Sequence, residues 1–146
     1  MVKVLLSAGF VFFLSFMYMV SCSPGKETDV QAQKRQVTRR VGQVIEIKPE
    51  QIQEYKALHA DSNPGVRDLL SKANIENFSI FIKQFDDGKY YLFAYYEYTG
   101  DDYHADMKNL AQNERNIRWL ETCDPMQVPF EGEESWSVMD QIYYNR

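Results

Sequence analysis

The stretch IENFSIFIKQFDDGKYYLFAYYEY, residues 75–98, decides the fold of this chain. Apolar and polar side chains alternate up to Phe85, and the run that starts at Tyr90 is dense in aromatic residues, as is typical of β-strands. Between them lies Asp-Asp-Gly-Lys at 86–89, a strong signal for a tight hairpin turn. The stretch therefore predicts two long antiparallel strands joined by a short turn.

On the N-terminal side of this hairpin the pattern predicts one strand and two helices. Residues 41–47 alternate Val, Gln, Ile and Ile with Gly, Val and Glu, which favours a strand. Pro49 opens a helix that runs to Leu58 or His59, because proline and acidic residues are favoured in a first helical turn. Pro64, inside an Asn-Pro-Gly break, starts a second helix.

On the C-terminal side, Asp102 is expected to cap a helix, and a shorter helix is expected to end where Asp124 precedes a proline. Residues 126–135 are predicted as a loop and residues 136–144 as a final strand. The order strand, helix, strand, strand, helix, strand is the split βαβ pattern of the ferredoxin-like fold. We therefore predict an α+β domain, βαββαβ, in which an antiparallel sheet carries helices on one face.

The other face of such a sheet is left uncovered. Alternating aromatic residues of the hairpin would crowd this face. We expect a face of this kind to meet a ligand, a second copy of the chain, or both.

Residues 1–22 have the layout of a secretory signal peptide: a positive charge at Lys3, a long apolar run, and small residues at its end. The ending Met19-Val20-Ser21-Cys22 resembles the lipobox of bacterial lipoproteins, in which the cysteine is lipidated. Plain secretion and a retained membrane anchor are the alternatives. All three place the domain outside the cytoplasm, either anchored to a membrane or in the periplasm. The lipid anchor would be its contact with the membrane.

Composition narrows the classes of function. The 146 residues favour one domain, which we place at 41–146, after a polar segment at 23–40 that is predicted to be a flexible linker. The formal net charge of −5 argues against binding of nucleic acid. With two histidines and no Cys-x-x-Cys or His-x-x-x-His spacing, we expect neither a metal nor a cofactor. Lipidation of Cys22 would leave Cys123 as a free thiol, a small buried hydrophobe.

Tyr55 and His59 lie four residues apart, which places a phenol and an imidazole on one face of a helix. Imidazole is the side chain best suited to proton transfer near neutral pH. The pair therefore predicts proton-transfer chemistry, although a histidine at a helix end is also often a surface or capping group. The second histidine, His104, is expected to face solvent.

Across residues 41–145 the chain is similar to the L-rhamnose mutarotase family. The resemblance rests on motifs that occur in the same order: Tyr55-Lys-Ala-Leu-His59, Pro64, Glu76-Asn77-Phe78, Tyr91-Leu92-Phe93-Ala94 with Glu97, Asp106-Met107, Arg118-Trp119 and Asp124-Pro125-Met126-Gln127. It implies a dimer of ferredoxin-like domains, of the dimeric α/β-barrel type. It also implies an enzyme that interconverts the α and β anomers of a deoxyhexose without metal or cofactor.

The resemblance also assigns roles to residues. The family's proton-donating histidine falls on His59, and a substrate-contacting tyrosine falls on Tyr55. A second tyrosine position falls on Phe78, and a Trp-Trp pair falls on Trp119 and Leu120. The expected catalytic residue is thus His59, and the other four line the sugar site. Phe78 and Leu120 replace a phenol and an indole by apolar side chains, which bears on the identity of the sugar.

The sequence thus predicts an extracytoplasmic mutarotase that acts on L-rhamnose or a close relative, with a monosaccharide and a second copy of the chain as its partners. Trp119 would stack on the sugar ring, and Glu97 or Asp106 would orient a hydroxyl or the imidazole. One alternative is a non-catalytic module that binds a carbohydrate or another small ligand on the aromatic sheet. Another is a small dimeric oxygenase or haem-binding protein of similar α+β shape.

Overall fold

One antiparallel sheet of five strands forms the centre of the structure: β1 (Arg39–Ile47), β2 (Ile75–Gln84), β3 (Tyr90–Tyr98), β4 (Gln127–Val128) and β5 (Ser137–Met139). The structure is a computed structural model that describes residues 35–145. β1 lies between β3 on one edge and the two short strands on the other, and β2 is the outer strand beyond β3. The architecture is α+β and ferredoxin-like, as the sequence predicts.

Four helices connect these strands: α1 (Ile52–Leu58), α2 (Arg67–Lys72), α3 (Tyr103–Ala111) and α4 (Glu114–Cys123). Local capping fixes where two of them begin. The side chain of Asp102 accepts a hydrogen bond from the Ala105 N–H at 3.0 Å, which confirms the predicted cap of α3. Asn113 accepts from the Arg115 N–H at 3.0 Å at the start of α4. These side chains satisfy N–H groups that a first helical turn leaves unpaired.

The alternation of side chains gives the sheet two different faces. The helix face carries nearly inaccessible residues such as Ile45 of β1 and Leu92 of β3, which lie opposite each other. Buried side chains of this face and of the elements that cover it form two hydrophobic clusters. The first cluster consists of Ile45, Ile47, Tyr55, Leu92, Cys123 and Met126. The second cluster consists of Val41, Ala73, Ile75 and Tyr96.

The opposite face of the sheet, the open face, carries partly or largely exposed aromatic rings. Phe93 of β3 lies there opposite Phe81 of β2, whose side chain is 64% exposed. Phe85 packs edge-on against Tyr91 with ring centroids 5.4 Å apart. The predicted crowding of one sheet face by aromatic residues is therefore confirmed.

The predicted hairpin is confirmed. The Phe85 N–H donates to the Lys89 carbonyl at 3.0 Å, and Gly88 takes the positive φ of +80° that the turn requires. β1 starts slightly earlier than predicted, at Arg39, within the segment that was expected to be linker.

Helix α2 begins at Arg67 rather than at the predicted Pro64. The reason is Gly65, whose φ of +51° is incompatible with a right-handed helix. The loop between α1 and α2 is therefore longer than the proline signal suggested.

Two predictions for the C-terminal region were wrong. The predicted loop at 126–135 contains β4, which pairs with Glu46 and Ile47 of β1. The predicted strand at 136–144 is paired only over Ser137–Met139. Farther along, Arg40 of β1 places its guanidinium over the ring of Tyr144, 3.6 Å from the centroid, a side-chain contact in place of a backbone ladder.

The predicted signal segment at 1–22, including Cys22, and most of the linker lie outside the described residues. Among residues 35–145, no helix has the length and apolar character needed to cross a bilayer. The described part of the chain therefore leaves the predicted anchor untested.

Candidate active site

A cleft of about 970 Å³ lies between the helix face of the sheet and the helices, and members of both hydrophobic clusters line it. Two groups of side chains border it. The first group, the His59 wall, packs on the first cluster and consists of Tyr55, His59 and Trp119. The second group, the Phe78 wall, adjoins the second cluster and consists of Leu70, Phe78, Tyr96, Met107 and Leu110.

His59 follows the last residue of α1, and its side chain turns back over the helix. Its Nδ1 lies 2.8 Å from the backbone carbonyl oxygen of Tyr55. Because a carbonyl oxygen can only accept, Nδ1 carries a proton and Nε2 is the nitrogen available to a ligand. The imidazole stacks on the Tyr55 ring at 4.2 Å between centroids and meets the Trp119 ring edge-on at 5.2 Å. Both the orientation of the ring and its tautomer are thereby fixed.

The surroundings of His59 favour the neutral imidazole. Burial lowers the pKa of His59; the hydrogen bond to the Tyr55 carbonyl opposes this, and the charge of Arg67 lowers the pKa further. Arg67 also fastens the end of α1, because its Nη2 donates to the carbonyls of His59 at 3.0 Å and Ala60 at 3.2 Å. At pH 7 His59 therefore presents an unprotonated Nε2.

Tyr55 forms the floor beneath the imidazole and is only 5% exposed. Gln127 of β4 donates its side-chain N–H to the Tyr55 hydroxyl at 3.4 Å. Burial, and next the neighbouring Cys123, raise the pKa of Tyr55 well above its ordinary value, so the phenol stays protonated. Cys123 is itself buried, and burial raises the pKa of its thiol to about 11, as expected of a small hydrophobe rather than a nucleophile.

Trp119 of α4 can reach the cleft because the residue that its ring packs against, in the loop after α1, is a glycine without a side chain. A Cβ on Gly65 would lie only 3.1 Å from Cη2 of the indole. The same glycine has a φ of +51°, which side chains disfavour. A glycine is therefore needed at position 65 for two reasons. It allows the positive φ of the turn, and it leaves room for the Trp119 ring beside His59.

The Phe78 wall is made of hydrocarbon. Phe78 is 38% exposed and stacks on Tyr96, with ring centroids 5.7 Å apart and planes at 17°. The Tyr96 hydroxyl lies 2.7 Å from that of Tyr103, so it is already hydrogen-bonded within the protein. Leu120 of α4 lines the same cleft and is 40% exposed. All five sequence-predicted site residues thus border one cleft.

Glu97 and Asp106 lie away from the cleft, so the expectation that one of them orients a sugar hydroxyl or His59 was wrong. Asp106 accepts hydrogen bonds from the hydroxyl of Tyr98 at 2.5 Å and the amide of Asn74 at 2.8 Å. Glu97 of β3 accepts a hydrogen bond from the side chain of Asn77 on the neighbouring strand β2. Both carboxylates serve the structure of the domain.

Five residues with amide side chains line the cleft, and sequence reasoning assigned none of them a role: Gln43, Asn63, Asn77, Asn116 and Gln127. Asn116 and Gln127 are buried. Amides both donate and accept, which suits sugar hydroxyls. The motifs of the resemblance include Asn77 and Gln127, whereas nothing in the pattern marked Gln43 or Asn116. In the part of the chain that the structure describes, no group of three His, Cys, Asp or Glu side chains is close enough to hold a metal ion.

The family model that matches this chain is the one whose motifs the sequence resembles. A model of the L-rhamnose mutarotase family matches residues 40–145. The fold is similar to the crystal structure of an L-rhamnose mutarotase from Formosa agariphila, with a TM-score of 0.56 and 23% identity over 75% of this chain and 100% of that chain. A crystal structure of an antibiotic biosynthesis monooxygenase has a TM-score of 0.43 and 21% identity over 71% of this chain and 98% of that one. No curated protein matches the sequence.

Proposed function

This chain belongs to the L-rhamnose mutarotase family, and from that premise we propose that it interconverts the α and β anomers of L-rhamnose or a closely related deoxyhexose. The observation that carries the proposal is His59. It is a neutral imidazole with Nδ1 held by a backbone carbonyl and Nε2 left for a ligand in the cleft. Acid–base catalysis by one such group typically contributes about 10² to 10⁴ in rate.

The proposed reaction needs only proton transfer. Nε2 of His59 takes the proton of the anomeric hydroxyl while the bond from the anomeric carbon to the ring oxygen breaks, with its electron pair going to the ring oxygen. The imidazolium then delivers the proton to that oxygen, which gives the open-chain aldehyde. Both oxygens were bonded to the same carbon, so one nitrogen reaches each in turn. Rotation of the aldehyde and reversal of these steps give the other anomer and restore neutral His59.

The remaining cleft residues would hold the sugar during ring opening. The face of Trp119 suits the apolar face of a pyranose, and Tyr55 supports the imidazole from below. Gln43, Asn116 and Gln127 supply hydrogen bonds to hydroxyls. Phe78 and Leu120 offer hydrocarbon, which suits the methyl group of a deoxy sugar better than a hydroxymethyl group.

Exchange spectroscopy by NMR tests the proposal, with L-rhamnose, L-fucose and related hexoses screened for faster exchange between anomers. We expect the wild type to accelerate at least one of them. His59→Ala should abolish the acceleration while still binding the sugar. His104→Ala is the matched control, because His104 is exposed on α3 and does not line the cleft. Sugar binding without acceleration by the wild type would identify a binding module instead, and equal rates for wild type and His59→Ala would contradict the mechanism.

The open face of the sheet is the proposed site of a homodimer. Its aromatic rings include Phe81 at 64% exposure, and a groove of about 490 Å³ there is lined mainly by Val44, Phe85, Tyr91, Phe93 and Phe130. We expect light scattering to give a dimer for the wild type and a monomer for Phe81→Asp. Gln84 is the last residue of the same strand, and its side chain lies on the helix face of the sheet. Gln84→Asp should therefore remain dimeric. A monomeric wild type would contradict this part of the proposal.

Lipidation of Cys22 and a position outside the cytoplasm remain part of the proposal, and the sequence of the first 22 residues supports them. Such a location suits an enzyme that acts beside the breakdown of extracellular polysaccharide. Cell fractionation should find the full chain in membranes and Cys22→Ser in a soluble fraction. Unlipidated wild-type protein in the cytosol would contradict the assignment.

A further inference from the structure

Strand β2 contains an irregularity at the rim of the cleft. Its register with β3 shifts between Glu76 and Ser79, so that Asn77 and Phe78 together oppose the single residue Tyr96. Asn77 has a φ of +53°, a left-handed conformation that is rare outside glycine. Two residues facing one, the first of them left-handed, is the geometry of a β-bulge.

The bulge decides which way Phe78 points. Glu76 pairs with Glu97 and Ser79 pairs with Tyr95, and all four belong to the open face. Without the extra residue, the alternation of a strand would send Phe78 to that face as well. With it, the ring of Phe78 lies on the helix face, stacked on Tyr96 at 5.7 Å, and lines the cleft.

The side chain of Asn77 holds the bulge from the open side of the sheet. Its Nδ2 donates to Oε2 of Glu97 at 2.6 Å. Oε1 of the same carboxylate accepts from the Tyr95 hydroxyl at 3.0 Å and lies 3.4 Å from Nε of Arg40. Asn77 is thus bonded to a carboxylate that Tyr95 of β3 and Arg40 of β1 also hold, which makes the bulge a fixed feature of the sheet.

We propose that Asn77 is a positioning residue that sets sugar recognition by holding Phe78 in the cleft. The inference rests on the proposed function and assigns sugar recognition and proton transfer to different residues. Asn77 acts on binding through Phe78, whereas proton transfer stays with His59 on the other wall. The backbone conformation is the essential part, and the bond to Glu97 supports it.

The test uses full-length enzyme and the sugar that the anomer-exchange screen identifies. Alanine disfavours the left-handed backbone and lacks the amide, whereas glycine keeps that backbone available. We expect Asn77→Ala to raise KM roughly tenfold with kcat nearly unchanged, and Asn77→Gly to restore most of the KM. Equal KM values for the two variants would overturn the proposal.

A double mutant separates positioning from a general loss of stability. Once Phe78→Ala has removed the ring, Asn77→Ala should raise KM no further, because its effect passes through that ring. A further rise of similar size in the double mutant would overturn the proposal. Asn74→Ala is the matched control: Asn74 also has a positive φ, +58°, and immediately precedes the same strand, but it does not line the cleft. It should lower the melting temperature and leave KM unchanged.

One readout does not depend on any sugar. In the wild type, NMR should detect a nuclear Overhauser contact between the rings of Phe78 and Tyr96. We expect this contact to weaken in Asn77→Ala and to persist in Asn77→Gly. Full persistence in Asn77→Ala would overturn the positioning role even if no sugar is a substrate, whereas a failed exchange screen with the expected ring contacts would count against the proposed function alone.

Discussion

The two walls of the cleft differ in what they offer a ligand. The His59 wall presents a nitrogen with a free lone pair between two aromatic rings. The Phe78 wall presents hydrocarbon, and its one phenol, Tyr96, is already bonded to Tyr103. The proposed function therefore separates chemistry from discrimination: proton transfer is proposed for the His59 wall and selection of the ligand for the Phe78 wall.

The walls also differ in how the chain builds them. The central pair of the His59 wall, Tyr55 and His59, comes from a four-residue spacing on one helix, and the carbonyl that orients the imidazole belongs to the same turn. The Phe78 wall depends on a bulge and on contacts between distant elements. A contact within one helix therefore orients the His59 imidazole, whereas contacts between distant elements shape the Phe78 wall.

The largest expected effect sharpens this division. His59→Gln keeps a polar side chain of similar size but cannot pass a proton. We expect kcat for anomer exchange to fall by roughly 10² to 10⁴ while KM stays within about twofold, because the Phe78 wall is untouched. Exchange rates measured over a range of sugar concentrations check both quantities. A KM change as large as the kcat change would mean that the walls do not act separately.

Most of the fold was readable from the sequence because its signals are local. Alternation and the Asp-Asp-Gly-Lys turn indicate the hairpin, and the predicted Asp102 caps α3. The same holds for the site: the spacing of Tyr55 and His59 follows from helix geometry alone. Trp119, by contrast, was placed by resemblance to a family, since nothing local says which ring it faces.

What the sequence could not show depends on partners distant in the chain. Asn77 reads as an ordinary strand residue, yet its left-handed backbone redirects Phe78. In the sequence, Gly65 only ends the Asn-Pro-Gly break, yet in the structure its lack of a side chain leaves room for the indole of Trp119. The segment at 136–144 has the apolar content of a strand, but pairing needs a free edge, and β1 pairs with it only over Ser137–Met139.

A change in the loop beside Trp119 is expected to give the next largest effect. Gly65→Ala places a Cβ about 3.1 Å from the indole and strains a φ of +51°, so the ring must move. We expect roughly a tenfold loss of kcat/KM together with a destabilisation of about 1–2 kcal/mol, measured by exchange kinetics and denaturant unfolding.

Gly88→Ala is the control for that loop variant. Gly88 also has a positive φ, +80°, but no atom lies within 4 Å of the position of its Cβ. It should lose similar stability and no activity. An equal loss of activity in Gly88→Ala would show that strain alone, and not displacement of the Trp119 ring, explains the effect.

A smaller effect is expected from returning a phenol to the Phe78 wall. Phe78→Tyr adds a hydroxyl to a surface whose other phenol is already bonded, so a sugar hydroxyl can become its partner. We expect KM to fall about threefold to tenfold for a sugar that presents a hydroxyl there, with kcat unchanged. Comparison of L-rhamnose with its deoxygenated analogues locates that hydroxyl. A change in kcat alone would contradict the assignment of recognition to this wall.

The smallest expected effect is a shift in pH dependence. Burial and the charge of Arg67 lower the pKa of His59, so its active neutral form persists below pH ~6.5, the ordinary value for histidine. The acid limb of kcat/KM should therefore lie below that pH in the wild type. Arg67→Gln removes the positive charge, which raises the pKa of His59 and moves the limb to higher pH.

Lys72→Gln is the control for the pH profile. Lys72 is an exposed cation on the same helix as Arg67, and it pairs with Asp68 at 3.6 Å rather than with the end of α1. Its loss should leave the acid limb in place. Equal shifts in both variants would mean that the acid limb of kcat/KM follows the net charge of the domain. A shift in Arg67→Gln alone would show that the limb depends on the guanidinium that donates to the His59 carbonyl.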